Sequence, residues 1–282
     1  MIEVLQPGLY SSIQDLGRFE ALDSGVPVSG VMDEYAAEIA NSLVGNPKDY
    51  AVMEITMMGP KLKFMEPTAI ALTGADMSPL LNGKELKNNS LIIVNKRDVL
   101  SFGKLKKGFR CYMAVSGGFQ CKEVLGSKSM YAGITKAGNI TKGDKISINA
   151  SKVLHNIQFS KLKVNVDYLD ILNLEVFKGP EFDKLHHKEQ QNLLTTKFSI
   201  SKDNSRMGYQ LKELLKNSLH PIITSPVLPG TVQLTPSGRL IVLMKDSQTT
   251  GGYPRVLQLS QTAMNVLSQK FTGQKIQFQL KA

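Results

Sequence analysis

Thr68-Ala-Ile-Ala-Leu72, Ser90-Leu-Ile-Ile-Val94, Val99-Leu-Ser-Phe102 and Cys111-Tyr-Met-Ala-Val115 are the runs on which the fold turns. Each is short and apolar or alternating, and each is bounded by turn chemistry: Gly59-Pro60, Gly74-Ala-Asp76, Asn82-Gly83, Gly117-Gly118 and Lys142-Gly-Asp144. Glycine supplies left-handed backbone, proline presets one torsion and Asn or Asp bonds its own backbone, so these clusters read as turns between strands. Strands this short and this regularly spaced predict an antiparallel barrel or sandwich.

Toward the N-terminus the pattern changes period. Ala36, Ile39, Ala40, Leu43 and Val44 recur at helical spacing, Asp33 stands at the N-cap position and Gly45-Asn46-Pro47 is a stop signal, which predicts a helix over 33–44. The loop before it, Gly25-Val-Pro-Val-Ser-Gly-Val-Met-Asp33, points at the helix start. Helix N-termini attract anions, but Asp33 already puts a carboxylate there, so the loop is first a tight turn and only second a ligand loop.

Toward the C-terminus, residues 151–170 are lysine-rich and weakly patterned, and the domain boundary is expected there, at 155/156. A second β-rich half follows, with strands over 173–177, 197–201, 226–234, 240–244 and 275–280 and helices over 183–194 and 261–270, the latter capped by Ser260. The expectation is mainly β with a few helices in two domains, 1–155 and 156–282. A length of 282 residues suits two cores and buries roughly three quarters of the extended-chain surface.

Composition narrows the function classes. No stretch approaches the twenty or so apolar residues of a membrane helix, and the start, Met1-Ile-Glu-Val-Leu-Gln-Pro, lacks a basic and an apolar signal region, so a cytoplasmic location and no membrane partner are expected. Cys111 and Cys121 form no CxxC pair and read as buried small residues. The formal charge of +10 rests mostly on scattered lysines with six arginines among 34 basic residues, which argues for a solvated surface and against nucleic acid. Among His155, His186, His187 and His220, the adjacent pair diverges by about a hundred degrees on a helix, so no metal site is expected. Neither GxSxG, HExxH nor GxGxxG is present, and Gly126-Ser-Lys-Ser129 lacks phosphate-loop spacing.

The densest chemistry lies at Leu243-Met-Lys-Asp-Ser-Gln-Thr-Thr-Gly-Gly-Tyr-Pro-Arg255, an apolar strand running into a polar loop over 246–255. Asp246, Ser247, Gln248, Thr249 and Thr250 offer a carboxylate, hydroxyls and an amide; Gly251-Gly252 lets the backbone bend, and Tyr253 and Arg255 share a face if extended. Two readings stand: a polar substrate platform, or a hairpin whose side chains bond their own backbone. In Gln14-Asp-Leu-Gly-Arg18, Asp15 and Arg18 suit a carboxylate or carbamate-like substrate, or else a local salt bridge. Arg206 and Tyr209, in Asn204-Ser-Arg-Met-Gly-Tyr-Gln210, are a second such pair.

These segments carry a family resemblance. Gln6-Pro-Gly-Leu-Tyr-Ser-Ser-Ile-Gln-Asp-Leu-Gly-Arg18, Gly25 to Asp33, Ala71-Leu-Thr-Gly-Ala-Asp76, Ala114-Val-Ser-Gly-Gly118, Gly126-Ser-Lys-Ser-Met-Tyr131, Ser205-Arg-Met-Gly-Tyr209 and Asp246-Ser-Gln-Thr-Thr-Gly-Gly-Tyr-Pro254 together resemble the biotin-dependent carboxyltransferase-like family, also labelled the allophanate hydrolase subunit 2 family. Its members include the C subunit of bacterial 5-oxoprolinase and part of urea carboxylase. The resemblance spans the chain in order.

It implies two cyclophilin-like β-barrel domains and a complex with the A and B subunits of 5-oxoprolinase that uses ATP to open the lactam of 5-oxoproline to glutamate, this chain being inactive alone. It also implies two alternatives: a biotin-dependent carboxyltransferase acting on urea or a related amide, and a non-catalytic regulator that binds a B subunit inhibiting a sensor kinase. Under the resemblance, Asp15, Arg18, Asp246, Gln248, Thr249 and Tyr253 are the candidate catalytic residues. Ser29, Gly30, Asp33, Ser116, Gly117, Arg206, Tyr209, Thr250, Gly251, Gly252 and Arg255 are candidates for substrate binding. The chain departs from the family's Ser-Asp-Arg-Met-Gly-Tyr-Arg at Asn204, Ser205 and Gln210, has Lys128 where Arg is usual, and has Gln120 where Asp is usual.

Overall fold

A computed structural model describes residues 1–149 and 162–281; the expected boundary at 155/156, with His155, lies outside the described residues. The fold is mainly β. Two compact units are present, Met1–Arg18 with Ser29–Leu169, and Phe19–Val28 with Asp170–Ala282.

In the first unit two antiparallel sheets face each other. One runs Lys145–Ile146, Ile2–Gln6, Lys61–Phe64, Val99–Phe102, Pro79–Leu81, Lys84–Glu85; the other runs Tyr10–Gln14, Val52–Thr56, Lys107–Val115, Thr68–Asp76, Leu91–Val94. Successive side chains leave a strand on opposite faces, so Cys111, Met113 and Val115 enter the core between the sheets with Val4, Phe64 and Leu100. Tyr112 and Ala114 leave on the other face, beneath helix α1 (Glu34–Leu43), against Ala36, Ala37 and Ala40. Both faces of this strand are covered over 111–115, which is why that stretch is an unbroken apolar run.

Asp33 caps α1, its Oδ1 accepting from Ala36 N at 3.0 Å, and Gly45 follows the helix in the left-handed region, as the sequence pattern predicts. The turn expected at Gly74-Ala-Asp76 is instead part of one long strand. Gly74 has φ +76 opposite a register shift between Lys107 and Cys111, so the glycine serves a bulge and the strand continues. The strands Ile2–Gln6 and Tyr10–Gln14 have no counterpart in the sequence reading.

The second unit is a closed barrel of Asn173–Lys178, Arg255–Leu259, Thr231–Leu234, Arg239–Leu243, Gly208–Leu214, Phe198–Asn204 and Lys275–Leu280, the last pairing in parallel with the first. Val176, Ile200, Tyr209, Val232, Val242 and Phe278 are buried within it. Helices α2 (His187–Thr195) and α3 (Gln261–Ser268) complete the unit, and Ser260 caps α3 by accepting from Ala263 N.

Two expected elements break here. The helix expected over 183–194 is a short turn at Phe182–Lys184 followed by extended Leu185; α2 then restarts because Glu189 Oε2 accepts from His186 N at 2.8 Å. The strand expected over 226–234 is interrupted at Pro229 and Gly230 (φ +89), leaving Ser225–Pro226 to pair with Thr250–Gly251 while Thr231–Leu234 joins the barrel. Among the described residues no helix is long and apolar enough to cross a membrane.

Beneath α1 lies a buried polar chain. Glu54 Oε2 accepts from Met32 N and from Tyr112 Oη, both at 2.8 Å, and Arg110 Nε stands 3.6 Å from Glu54 Oε1. Tyr112 Oη accepts in turn from Asp33 N at 2.8 Å, and Tyr168 Oη donates to Asp33 Oδ2 at 2.6 Å. Burial, then the negative charges of Glu54 and Asp33, push the Tyr112 phenol well above its ordinary pKa, which keeps it a donor. Replacing Tyr112 by Phe strands a buried amide and part of a buried carboxylate. The expected loss is about 1–3 kcal/mol, read from urea-denaturation midpoints.

Candidate functional site

In the second unit the strand Arg239–Leu243 delivers the chain into the polar loop. Asp246 meets Arg206 in a two-point ion pair, Nε to Oδ2 at 2.7 Å and Nη2 to Oδ1 at 3.1 Å, with side chains only 7% and 8% exposed. Beside it Asp246 N donates to Arg206 O at 2.8 Å and Met244 N to Met207 O at 3.0 Å. A turn and a loop forty residues apart are thereby held as one body.

Between them opens a groove of about 390 Å³ on the outer wall of the barrel. Its floor is a row across three neighbouring strands: Gln210 pairs in register with Ile241, and Ile241 with Gln233. Tyr209 and Val242, the alternate positions, are fully buried, so the row faces outward. Gln248 and Tyr253 flank it from the loop, Asn204 and Met207 from the turn. The volume fits a small metabolite, and the donors are mostly neutral amides.

Of the residues singled out in the loop, Gln248 and Tyr253 line the groove. Thr249 and Thr250 are fixed through their backbones: Thr249 O accepts from Val227 N at 3.0 Å and Thr250 pairs with Pro226. Gly251 and Gly252 are not in the left-handed region; the need at Gly251 is proximity, since a Cβ there would lie 2.4 Å from Gln233 Nε2.

Arg255 is committed elsewhere. Glu181 accepts from its backbone N, Nε and Nη2, and Nη1 donates to Ser225 Oγ and Pro226 O, which leaves little of the fork for a substrate carboxylate. Tyr209, expected to touch substrate, points inward and donates to Lys270 O at 3.2 Å. Arg206 and Asp246 hold each other.

Of the first-unit candidates, Asp15 and Arg18 both bond the 127–129 turn. Asp15 accepts from Ser127 Oγ and Ser129 Oγ at 2.6 Å, Lys128 N at 2.5 Å and Gly17 N at 2.9 Å. Arg18 is buried and donates to Ser129 O at 2.5 Å. Ser29 takes a left-handed φ of 55, and Gly30 packs where a Cβ would meet Leu16 backbone at 2.7 Å. Gly30 N donates to Gln14 Oε1 at 3.1 Å, and Asp33 is the α1 cap already described. Ser116 is buried at the end of Lys107–Val115, and Gly117 N donates to Asn46 Oδ1 at 2.9 Å. Among the described residues no group of three or more His, Cys, Asp or Glu is gathered for a metal.

Sequence reasoning passed over Gln233. Its signal was available: a lone carboxamide between Val232 and Leu234 in a short strand.

Arg206→Ala strips the partner from a buried carboxylate and is expected to destabilise the fold by about 3–5 kcal/mol, measured by chemical denaturation. A second expectation concerns acid. Burial pushes the Glu181 carboxyl up, but its hydrogen bonds to Arg255 and the guanidinium charge prevail and hold it below the ordinary value. A depressed carboxylate stabilises the fold above its unfolded pKa of roughly 4.3 and loses that contribution as pH falls toward the folded value. Glu181→Gln should therefore flatten the melting-temperature profile below about pH 4.3, the unfolded value.

Residues 24–280 match the family described as carboxyltransferase domain, subdomain A and B. The chain is 32% identical to the C subunit of 5-oxoprolinase from Escherichia coli (strain K12) over 99% of its own length and 90% of that protein. Over 131 residues, 46% of this chain and 7% of the relative, it is 43% identical to urea amidolyase of Lachancea kluyveri. The solved urea carboxylase of Kluyveromyces lactis superposes with a TM-score of 0.88 at 29% identity, covering 98% of this chain and 27% of that one. The solved structure of TTHA0988 superposes at 0.86 and 26% identity, covering 99% of this chain, which spans about half (55%) of that one. The chain belongs to the carboxyltransferase A and B subdomain family.

Proposed function

We propose that this chain is the C subunit of an ATP-dependent 5-oxoprolinase complex, acting with the A and B subunits to open the lactam of 5-oxoproline to glutamate and inactive without them. The observation that carries the reading is the end-to-end match to the Escherichia coli protein of that name. A groove sized for a small metabolite and lined by neutral amide donors supports it.

The chemistry sets a division of labour. A lactam is a poor electrophile, so ring opening needs phosphoryl activation and a stabilised oxyanion. The one phosphate-loop-like turn does not fit ATP: the Ser127 and Ser129 hydroxyls and Lys128 N all turn onto Asp15. In this reading a nucleotide is bound by other means or by another member of the complex, and no step here is routed through it. In this reading Gln248 and Tyr253 contact substrate, Arg206 and Asp246 position their loop, and Thr249, Thr250, Gly251 and Gly252 shape it. Asp15, Arg18, Ser29, Gly30, Asp33, Ser116 and Gly117 stiffen the first unit. A cytoplasmic address suits such a complex.

Mixing the chain with its A and B subunits and ATP should convert 5-oxoproline to glutamate, while the chain alone shows no turnover. A folded, assembled mixture that leaves 5-oxoproline intact would remove the proposal. Replacing Gln248 and Tyr253 together by Ala should cut kcat/KM at least about a hundredfold with assembly intact by gel filtration.

The local identity to urea amidolyase favours a second reading, carboxyl transfer to urea or a related amide, with biotin arriving on a separate carrier protein. Transfer of labelled carboxyl from carboxybiotin to urea would select it.

A further inference from the structure

Resting on the reading above, the groove can be assigned a more specific ligand chemistry. Gln233 lines the groove and is 2% exposed, and its Nε2, itself buried, has no hydrogen-bond partner among the described residues. A buried amide donor left unpaired is destabilising, so it marks a place where an acceptor is wanted. Among the described residues its Oε1 has only Gln248 Nε2 at 3.5 Å, a long contact that leaves accepting capacity.

The strand fixes this amide from below and the loop from above. The backbone of Gly251 lies so close that a Cβ would reach 2.4 Å from Nε2. The charged residues that line the groove are one cation and one anion, Lys202 and Asp203; Arg206 is paired with Asp246, and Arg239 Nη1 donates to Gln210 Oε1 at 3.2 Å. Neutral donors favour a neutral carbonyl, because they compensate an anion's desolvation poorly.

A carboxamide held in one plane presents a donor and an acceptor side by side. Its complement is a group with C=O and N–H on the same edge. A linear secondary amide is trans and shows them on opposite edges, whereas a small lactam ring enforces cis and urea has a syn pair. We propose that Gln233 recognises a cis-amide, of the lactam or urea class, by a two-point contact, Nε2 donating to the carbonyl oxygen and Oε1 accepting from the N–H.

The test uses the full chain, labelled with nitrogen-15, and four probes: 5-oxoproline, 2-pyrrolidinone, N-methyl-2-pyrrolidinone and proline. The Gln233 side-chain amide signals, assigned by their loss in Gln233→Leu, should move with the first two. N-methylation should weaken binding at least about fivefold, and proline, which keeps the carboxylate and loses the lactam carbonyl, should leave the signals in place. Gly251→Ala, whose methyl displaces the amide, should weaken 2-pyrrolidinone binding about tenfold while the chain still melts cooperatively. In the assembled complex, Gln233→Leu should raise KM for 5-oxoproline about tenfold or more.

Equal responses to proline and 5-oxoproline, or unchanged lactam binding by Gln233→Leu, would overturn the assignment. A wild-type complex that hydrolyses 5-oxoproline while Gln233 ignores both lactams also overturns it and leaves the proposed function standing. Lactam binding at Gln233 without turnover in the wild-type complex supports the assignment and removes the 5-oxoprolinase reading.

Discussion

A guanidinium and a carboxylate withdrawn from water, Arg206 and Asp246, determine the shape of everything around the groove. Removing each charge from solvent costs several kcal/mol, and only a geometry that satisfies both returns it. Here two parallel N–H to oxygen bonds do so, flanked by two backbone bonds between the same segments. The groove beside the ion pair is of mixed character, with Met207, Ile241 and Leu243 among Gln210, Gln233 and Gln248.

The first unit solves a similar problem differently. Asp15 gathers two serine hydroxyls and two amide groups, fixing the 126–129 turn without a cation among those contacts. Under α1, Tyr112 passes a hydrogen bond from Asp33 N to Glu54, so one phenol joins a helix cap to a sheet. Such chains are costly to break because each member's removal leaves a neighbour buried and unpaired.

The strands over 99–102 and 275–280 and the caps at Asp33 and Ser260 were legible because local signals and tertiary context agree there. Gly74 shows where they part: a glycine at positive φ suits a turn and a bulge equally, and only the partner strand decides. Tyr10–Gln14 was illegible because its Ser11, Ser12 and Gln14 are buried by neighbours far along the chain. The polar loop was recognised as special, but which of its residues face the groove depends on cross-strand register. Arg206, Asp246 and Arg255 look like ligand-binding residues in sequence and prove to be bound to protein groups.

The departures at Ser205 and Gln210 acquire a shared meaning from their location. Both line the groove, and relative to the family pattern one loses an acid and the other a base. Lost singly, either change would leave an unbalanced charge beside a desolvated surface; lost together, they leave the net charge of the wall unchanged. Gln210 then accepts from Arg239, where an arginine would have opposed it. Under the proposed recognition, Gln210 and Gln233 on either side of Ile241 would discriminate among carbonyl groups by the orientation of their N–H.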